Sequence, residues 1–388
     1  MIIARYLQAF VYDLQFIMNV NNERIGDIPE IWPEDKEFTP KGWEDRRRQI
    51  INIMCEEQYG FLPAAPVSIK AVTLQTDYEF CAGKAPLSKV MLDITLEDGK
   101  IFKMPVSVVI PAESIQAENI PFIVYISFNA DVPGKYLPSE EIADNGFGTL
   151  SFNYQDITTD DGDFENGLAL PLGYTDNSVC GKIALWAWAA MRVMDYACTL
   201  PRLDKTRAAV AGHSRLGKTA LLAGALDTRF SFVFSNNSGC CGAAISRGKK
   251  GETIRNITDS FPCWFKNSFK KYADNENKMP FDQHFLLAVC APRRVYVSSS
   301  SEDLWADPES EFLSCMLAGT IWEKMDLPGF VSGEALLQSG RKPVTGKLYH
   351  DGRIAYHEKK GLHYLGREDW QHFMAYLKRS ACEVMYFL

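Results

Sequence analysis

Ala208-Ala209-Val210-Ala211-Gly212-His213-Ser214-Arg215-Leu216-Gly217-Lys218-Thr219-Ala220-Leu221-Leu222 runs from a short apolar strand, through a sharp turn bounded by glycines, into a helix rich in Ala and Leu. Two incompatible readings fit the turn. Gly212-x-x-x-x-Gly217-Lys218-Thr219 matches the phosphate-binding P-loop, whose backbone N–H groups cradle phosphates while the threonine hydroxyl touches Mg²⁺. The same letters set Ser214 at a strand-to-helix turn, the position of a nucleophile elbow. The rest of the chain decides between them.

The P-loop reading also wants an acidic residue after a second buried strand to help hold Mg²⁺. Asp303 would serve, so that test is ambiguous. Several strands precede the turn, however, and its interior, His213-Ser214-Arg215-Leu216, is bulky and free of glycine. The elbow reading makes a stricter demand: an acid after a late strand and then a histidine near the end, in that chain order. The chain supplies Ser214, then Glu302 or Asp303, then His363 in a loop before the last helix. A serine hydroxyl is a weak nucleophile until an imidazole takes its proton, and a carboxylate fixes the imidazole tautomer and stabilises the imidazolium.

Elimination among the six histidines favours His363. His213 stands on the tight turn, where its side chain is expected to point away. His284 precedes an apolar helix and His372 lies inside the terminal one. His350 and His357 lack the placement just before that helix. The usual G-x-S-x-G spacing is broken here, with the second glycine displaced to Gly217 and Arg215 directly after the serine. A cation there suits the negative charge of a tetrahedral intermediate, together with the N–H at the helix start.

Outward from the turn, Lys89–Leu96 and Ile101–Ile110 alternate around Asp98-Gly99, a strong hairpin signal. Apolar strands at 121–128 and 148–154 follow, then a helix at 183–196 that is apolar nearly all round and therefore buried. Strands at 208–211, 230–239 and 294–299 and helices at 309–325 and the C-terminus complete the alternation. This pattern predicts an α/β fold, specifically the α/β-hydrolase three-layer sandwich, with a mostly parallel sheet and an antiparallel hairpin at its start. Residues 1–65 are expected to form a helical and irregular extension packed on a catalytic domain spanning 66–388. Within the extension, 44–54 reads as an amphipathic helix whose arginine triplet faces solvent.

A net charge of −8 over 388 residues argues against nucleic acid or an anionic membrane as partner. The ten cysteines form no C-x-x-C pair and read as mostly buried thiols. The first residues, interrupted by Arg5 and Asp13, make a poor secretory signal, so a cytoplasmic location is expected. No metal or other cofactor is implied.

Gly212–Lys218, Ser235–Ala244, Pro280–His284, Glu302–Pro308 and Glu368-Asp369-Trp370 together resemble the bacterial branch of the glucuronoyl esterase family, carbohydrate esterases also called acetyl xylan esterases. Arg46-Arg47 through Pro63 and the 186–196 helix are similar too, so the resemblance covers nearly the whole chain. It implies metal-free cleavage of the ester between 4-O-methyl-glucuronic acid side groups of xylan and lignin alcohols. By motif, Ser214 is the nucleophile, His363 the base and Arg215 the oxyanion partner. Lys218, Glu252 and Trp305 match positions that hold the sugar. Some members carry a Glu where this chain has Asn237, which leaves Asp303 as the matching acid and Glu302 in reserve. Relatives are generally exported; an intracellular member would act on small uronic acid esters or decorated oligosaccharides. A carbohydrate deacetylase and, further off, a P-loop nucleotide-binding protein are the alternatives. The segment from His350 to His357 is expected to lie in a loop that lines the site.

Overall fold

The apolar run at 121–128 becomes β4 (Ile120–Ser127), buried at every position, as a strand covered on both faces must be. The structure, a computed structural model, describes residues 28–333 and 342–384, without the side chains of 380–384. Around β4 stand β5 (Gly148–Asn153), β6 (Leu203–His213), β7 (Phe232–Asn236), β8 (Arg294–Ser300) and β10 (Ile354–Lys359), all parallel. The Asp-Gly hairpin forms as read: β2 (Leu87–Thr95) pairs antiparallel with β3 (Ile101–Val109), and Gly99 takes φ +83 in the turn. Among the described residues the sheet has ten strands in the order β1-β2-β3-β5-β4-β6-β7-β8-β10-β9.

Three strands escape the sequence reading. β1 (Ser68–Asp77) adds to the hairpin at the sheet edge, where its residues are mostly exposed and bury no face. β10 occupies much of the segment expected to be a site-lining loop and pairs with β8, nearly sixty residues earlier in the chain (Ile354↔Val295). The short β9 (Leu348–Tyr349) pairs with β10 antiparallel.

Alternation along the strands sorts the core into two faces. Phe122, Val124, Ile126, Val210, Val233 and Val297 point to one face. There they meet helices α2 (Lys182–Ala197), α3 (Arg215–Leu226) and α4 (Pro308–Glu323) through residues such as Trp186, Leu221 and Phe312. Ile123, Tyr125, Ala211, Phe234 and Tyr296 point to the other face, under Trp370, Phe373 and Met374 of α5 (Arg367–Val384). This is the three-layer sandwich of the α/β-hydrolase fold. Chain order reverses direction across the sheet at β4, because β5 lies on one side of it and β6 on the other. The crevice at the carboxyl ends of such strands is where open α/β sheets bind ligands.

Residues 1–27 of the expected extension lie outside the described set. Of the rest, helix α1 (Pro40–Met54) buries Trp43, Ile50 and Met54 in the larger core cluster. Its arginines are not a solvated face. Arg47 donates to the carbonyls of Ala225 (2.6 Å) and Val289 (2.7 Å), and Arg46 to Ile31 (2.8 Å); only Arg48 stays at the surface, paired with Asp45. Ala225 lies in the last turn of α3, where carbonyls lack intrahelical donors, so Arg47 caps the helix that begins at Ser214. The described cysteines are free thiols, and all but Cys81 and Cys198 are buried. No described helix is long and apolar enough to cross a membrane.

Candidate active site

Ser214 joins β6 to α3 at the mouth of that crevice, with φ 60 and ψ −127, a conformation that costs a non-glycine residue about 1–3 kcal/mol. Its glycine neighbours explain how the turn closes. A Cβ on Gly212 would sit 2.0 Å from the Leu216 carbonyl oxygen, and one on Gly217 3.1 Å from the Asn236 carbonyl oxygen. Strain of this kind lifts the serine clear of the sheet, as a nucleophile elbow does. The P-loop reading fails on the same residues. Lys218 is buried and donates to the Ser238 carbonyl, and buried Thr219 donates to the Arg215 carbonyl at 2.9 Å. The threonine hydroxyl that Mg²⁺ would need is spent on a helix carbonyl, and the lysine is turned to the Ser238 loop rather than into a glycine-lined phosphate cradle.

His363 Nδ1 meets Asp303 Oδ2 at 2.6 Å, so of the two candidate acids the structure brings Asp303 and not Glu302 to the histidine. Asp303 Oδ2 also accepts from Asn237 Nδ2 (2.8 Å). Burial pushes the Asp303 carboxyl up, but the hydrogen bonds from His363 and Asn237 outweigh it and hold the group below its ordinary value. A carboxylate at Nδ1 keeps the proton there and leaves the Nε2 lone pair free as a base. The Ser214 hydroxyl makes no hydrogen bond within the described residues; in unliganded enzymes such contacts often tighten only when substrate arrives.

The His213 side chain does not point away from the site. Its ring lies 4.6 Å from that of His363, centroid to centroid. Asn236 Nδ2 donates to Ser298 Oγ, so its Oδ1 accepts from His213 Nδ1 (2.6 Å). Burial first, and then the neighbouring His363 charge, lower the His213 pKa to about 3. The ring next to the base is therefore neutral, and it confines the His363 imidazole without competing for its proton.

On the other side of the elbow, Arg215 forms an ion pair with Asp160 and lies over the Trp264 ring at 4.6 Å. Its Nε is buried and has no hydrogen-bond partner among the described residues. The N–H of Arg215, first in the helix, has no intrahelical acceptor. Among the residues expected to hold a sugar, Glu252 donates its N–H to the Trp305 carbonyl at 2.9 Å, and Trp305 is 56% exposed beside Asp303. Lys218 contacts the loop that carries Asn237.

The loop bearing His363 is clamped from beneath. Lys359 donates to the Tyr364 carbonyl (2.6 Å) and to Asp369, and Asp369 accepts the Gly366 N–H (2.7 Å). His357 Nε2 binds Asp369 (3.0 Å), and Tyr296 bridges His357 to His350 at 2.8 Å on each side. The two histidines expected to line the site thus lie behind it. The Glu368-Asp369-Trp370 motif and the His350–His357 segment are the sequence signals for this network. No cluster that could hold a metal occurs among the described residues.

A family model described as "Glucuronyl esterase, fungi" matches residues 94–326. Carbohydrate esterase MZ0003, from an unknown prokaryotic organism, is 40% identical over 248 residues, which is 63% of this chain and 55% of that one. The chain thus spans little more than half of that relative's length. A 4-O-methyl-glucuronoyl methylesterase of Schizophyllum commune is 28% identical over 75% of this chain and 70% of its own. The solved glucuronoyl esterase from Solibacter usitatus superposes with a TM-score of 0.80 at 30% identity, covering 92% of this chain and 99% of that one.

Proposed function

The chain belongs to the glucuronyl esterase family, and on that premise we propose that it hydrolyses esters of 4-O-methyl-glucuronic acid, or of related uronic acids on xylan fragments, by acyl transfer through Ser214. The observation that carries this reading is the His363–Asp303 pair beside a strained serine elbow with a permanent cation on its other flank.

In the proposed reaction His363 Nε2 takes the Ser214 proton as Oγ attacks the ester carbonyl. Asp303 stabilises the imidazolium so formed. The tetrahedral oxyanion meets the Arg215 guanidinium and the Arg215 N–H at the helix start, donors typically worth roughly 3–4 kcal/mol of barrier each. Collapse returns the proton to the departing alcohol and leaves the uronyl group esterified to Ser214. Water, activated by the same imidazole, then releases the uronic acid. Trp305 offers an exposed apolar face to the sugar ring, Glu252 accepts from hydroxyls, and Lys218, with one of its three N–H donors spent on Ser238, has others for sugar oxygens.

Hydrolysis of methyl glucuronate by the wild-type protein, with kcat lowered roughly 10⁵-fold or more in Ser214→Ala, is the expected result. Release of acetate from acetylated xylan without turnover of uronate esters would instead identify a carbohydrate deacetylase.

A further inference from the structure

Asp160 lies in an acidic turn, Thr159-Asp160-Asp161-Gly162-Asp163, whose last three residues are exposed. The Asp160 side chain is only 9% exposed. Tyr154 donates to Oδ2 (2.8 Å) and Trp264 Nε1 to Oδ1 (2.7 Å), while Arg215 pairs with Oδ2. Trp264 closes a ring of contacts, since its indole binds Asp160 through the edge and carries the Arg215 guanidinium on its face. Phe261 stacks on Trp264 at 3.9 Å and 6°, and the guanidinium lies over the Phe261 ring too, at 5.2 Å.

The turn itself is wrapped around an ammonium group. Lys182, the first residue of α2, is fully buried and donates to the carbonyls of Asp163 (2.5 Å) and Thr159 (2.6 Å), with Asp161 Oδ1 at 3.4 Å. Carbonyl and carboxylate oxygens thus converge on a cation tethered to the helix. A buried ammonium with several oxygen partners is costly to displace, because its removal would leave those oxygens unsatisfied.

We propose that Asp160 is the positioning residue for the Arg215 cation, held in place by Trp264, Tyr154 and the Lys182-centred turn. The inference rests on the reading of Arg215 as the oxyanion partner. Asp160 fixes the guanidinium over Trp264 so that it faces the serine before the reaction begins. The Tyr154 and Trp264 donors share the carboxylate charge, which leaves more of the guanidinium field for the oxyanion. Burial and the adjacent Asp160 charge push the Tyr154 hydroxyl up to about 12, so it remains a donor throughout the neutral range.

The test is a double-mutant cycle on Asp160→Asn and Arg215→Ala, with 4-nitrophenyl acetate and methyl glucuronate as parallel substrates. Asp160→Asn is expected to lower kcat about tenfold on both, with KM changed less than about twofold, because the oxyanion exists only in the transition state. In the Arg215→Ala background it should change kcat less than about twofold. An equal loss in both backgrounds, or unchanged kcat in the wild-type background, overturns the proposal. If Asp160→Asn does not melt cooperatively, Trp264→Phe and Tyr154→Phe each remove one donor to Asp160 and are read in the same cycle. Wild-type turnover of nitrophenyl acetate without turnover of methyl glucuronate would defeat the uronate reading while leaving this cycle intact.

Discussion

Two carboxylate-anchored pairs flank Ser214, and they are built differently. Arg215–Asp160 joins a permanent cation to a carboxylate already served by Tyr154 and Trp264. His363–Asp303 joins a half-exposed imidazole, 43% open to solvent, to a carboxylate steadied by Asn237. The first pair has nothing to do during a turnover except stay where it is, so it is locked by aromatic rings and a buried lysine. The second must gain and lose a proton twice per cycle, so its histidine keeps contact with solvent while the loop beneath it is clamped by Lys359 and Asp369. Rigidity is placed under the charge that does not change, and support without enclosure under the charge that does.

That contrast is broken most severely at Asp303. Asp303→Asn removes the charge that stabilises the imidazolium and lets the wrong tautomer form; kcat for methyl glucuronate should fall roughly 10³–10⁴-fold. A loss no larger than that of Asp160→Asn would mean that the two pairs do the same static work. Asn237→Asp is a gentler probe. It replaces a donor to Asp303 by a second carboxylate at about the same 2.8 Å. Like charges that close force one pKa up, so the acid limb of kcat/KM should move to higher pH while the alkaline plateau drops by about tenfold or less. An unmoved acid limb would show that Asn237 does not act through Asp303.

Much of this arrangement was legible in the sequence, and the exceptions share a cause. Strands β4, β5, β7 and β8 announce themselves as apolar runs, because both faces of each are buried. The Ser214, Asp303, His363 order is readable because the reaction requires those residue types at the ends of successive elements. What escaped depends on partners distant in the chain. β10 acquires its identity from β8, and β1 is an exposed edge strand with little to bury. Asp160 looks like one acid among several in a loop, and only folding brings it under Trp264 and Arg215, 104 and 55 residues later. The arginines of α1 look solvated until the carbonyls of Ala225 and Val289 meet them. Glu302 and Asp303 are neighbours with the same chemistry, and only the direction of the loop chooses between them.

The smallest effect separates the two flanks by pH. The imidazole flank is backed by buried His213 and His357 and half-buried His350: His213 is lowered to about 3 and His350 to about 4, each by desolvation first, and His357 is lowered as well. His284, packed away from the site, is lowered to about 4. Unfolded histidines take up protons near pH 6.5, so between that pH and about 4 the unfolded chain binds protons that the fold refuses. Each such group removes up to about 1.4 kcal/mol of stability per unit of acidification. Glu311 opposes them. Buried and receiving hydrogen bonds from Ser299 and Gly239, it is raised to about 7 by burial, so the fold binds its proton where the unfolded chain does not. Glu358 is raised as well, again by burial. Asp303 and Asp369, both lowered, enter only below the ordinary carboxylate range. The histidines outnumber the glutamates, so the melting temperature should fall by several degrees from pH 7 to pH 5. Glu311→Gln, which removes one opposing group, should steepen the fall. A melting temperature that holds or rises over that range would mean that the buried imidazoles accept protons in the fold, and that the flank around His363 is far less dry than its packing indicates.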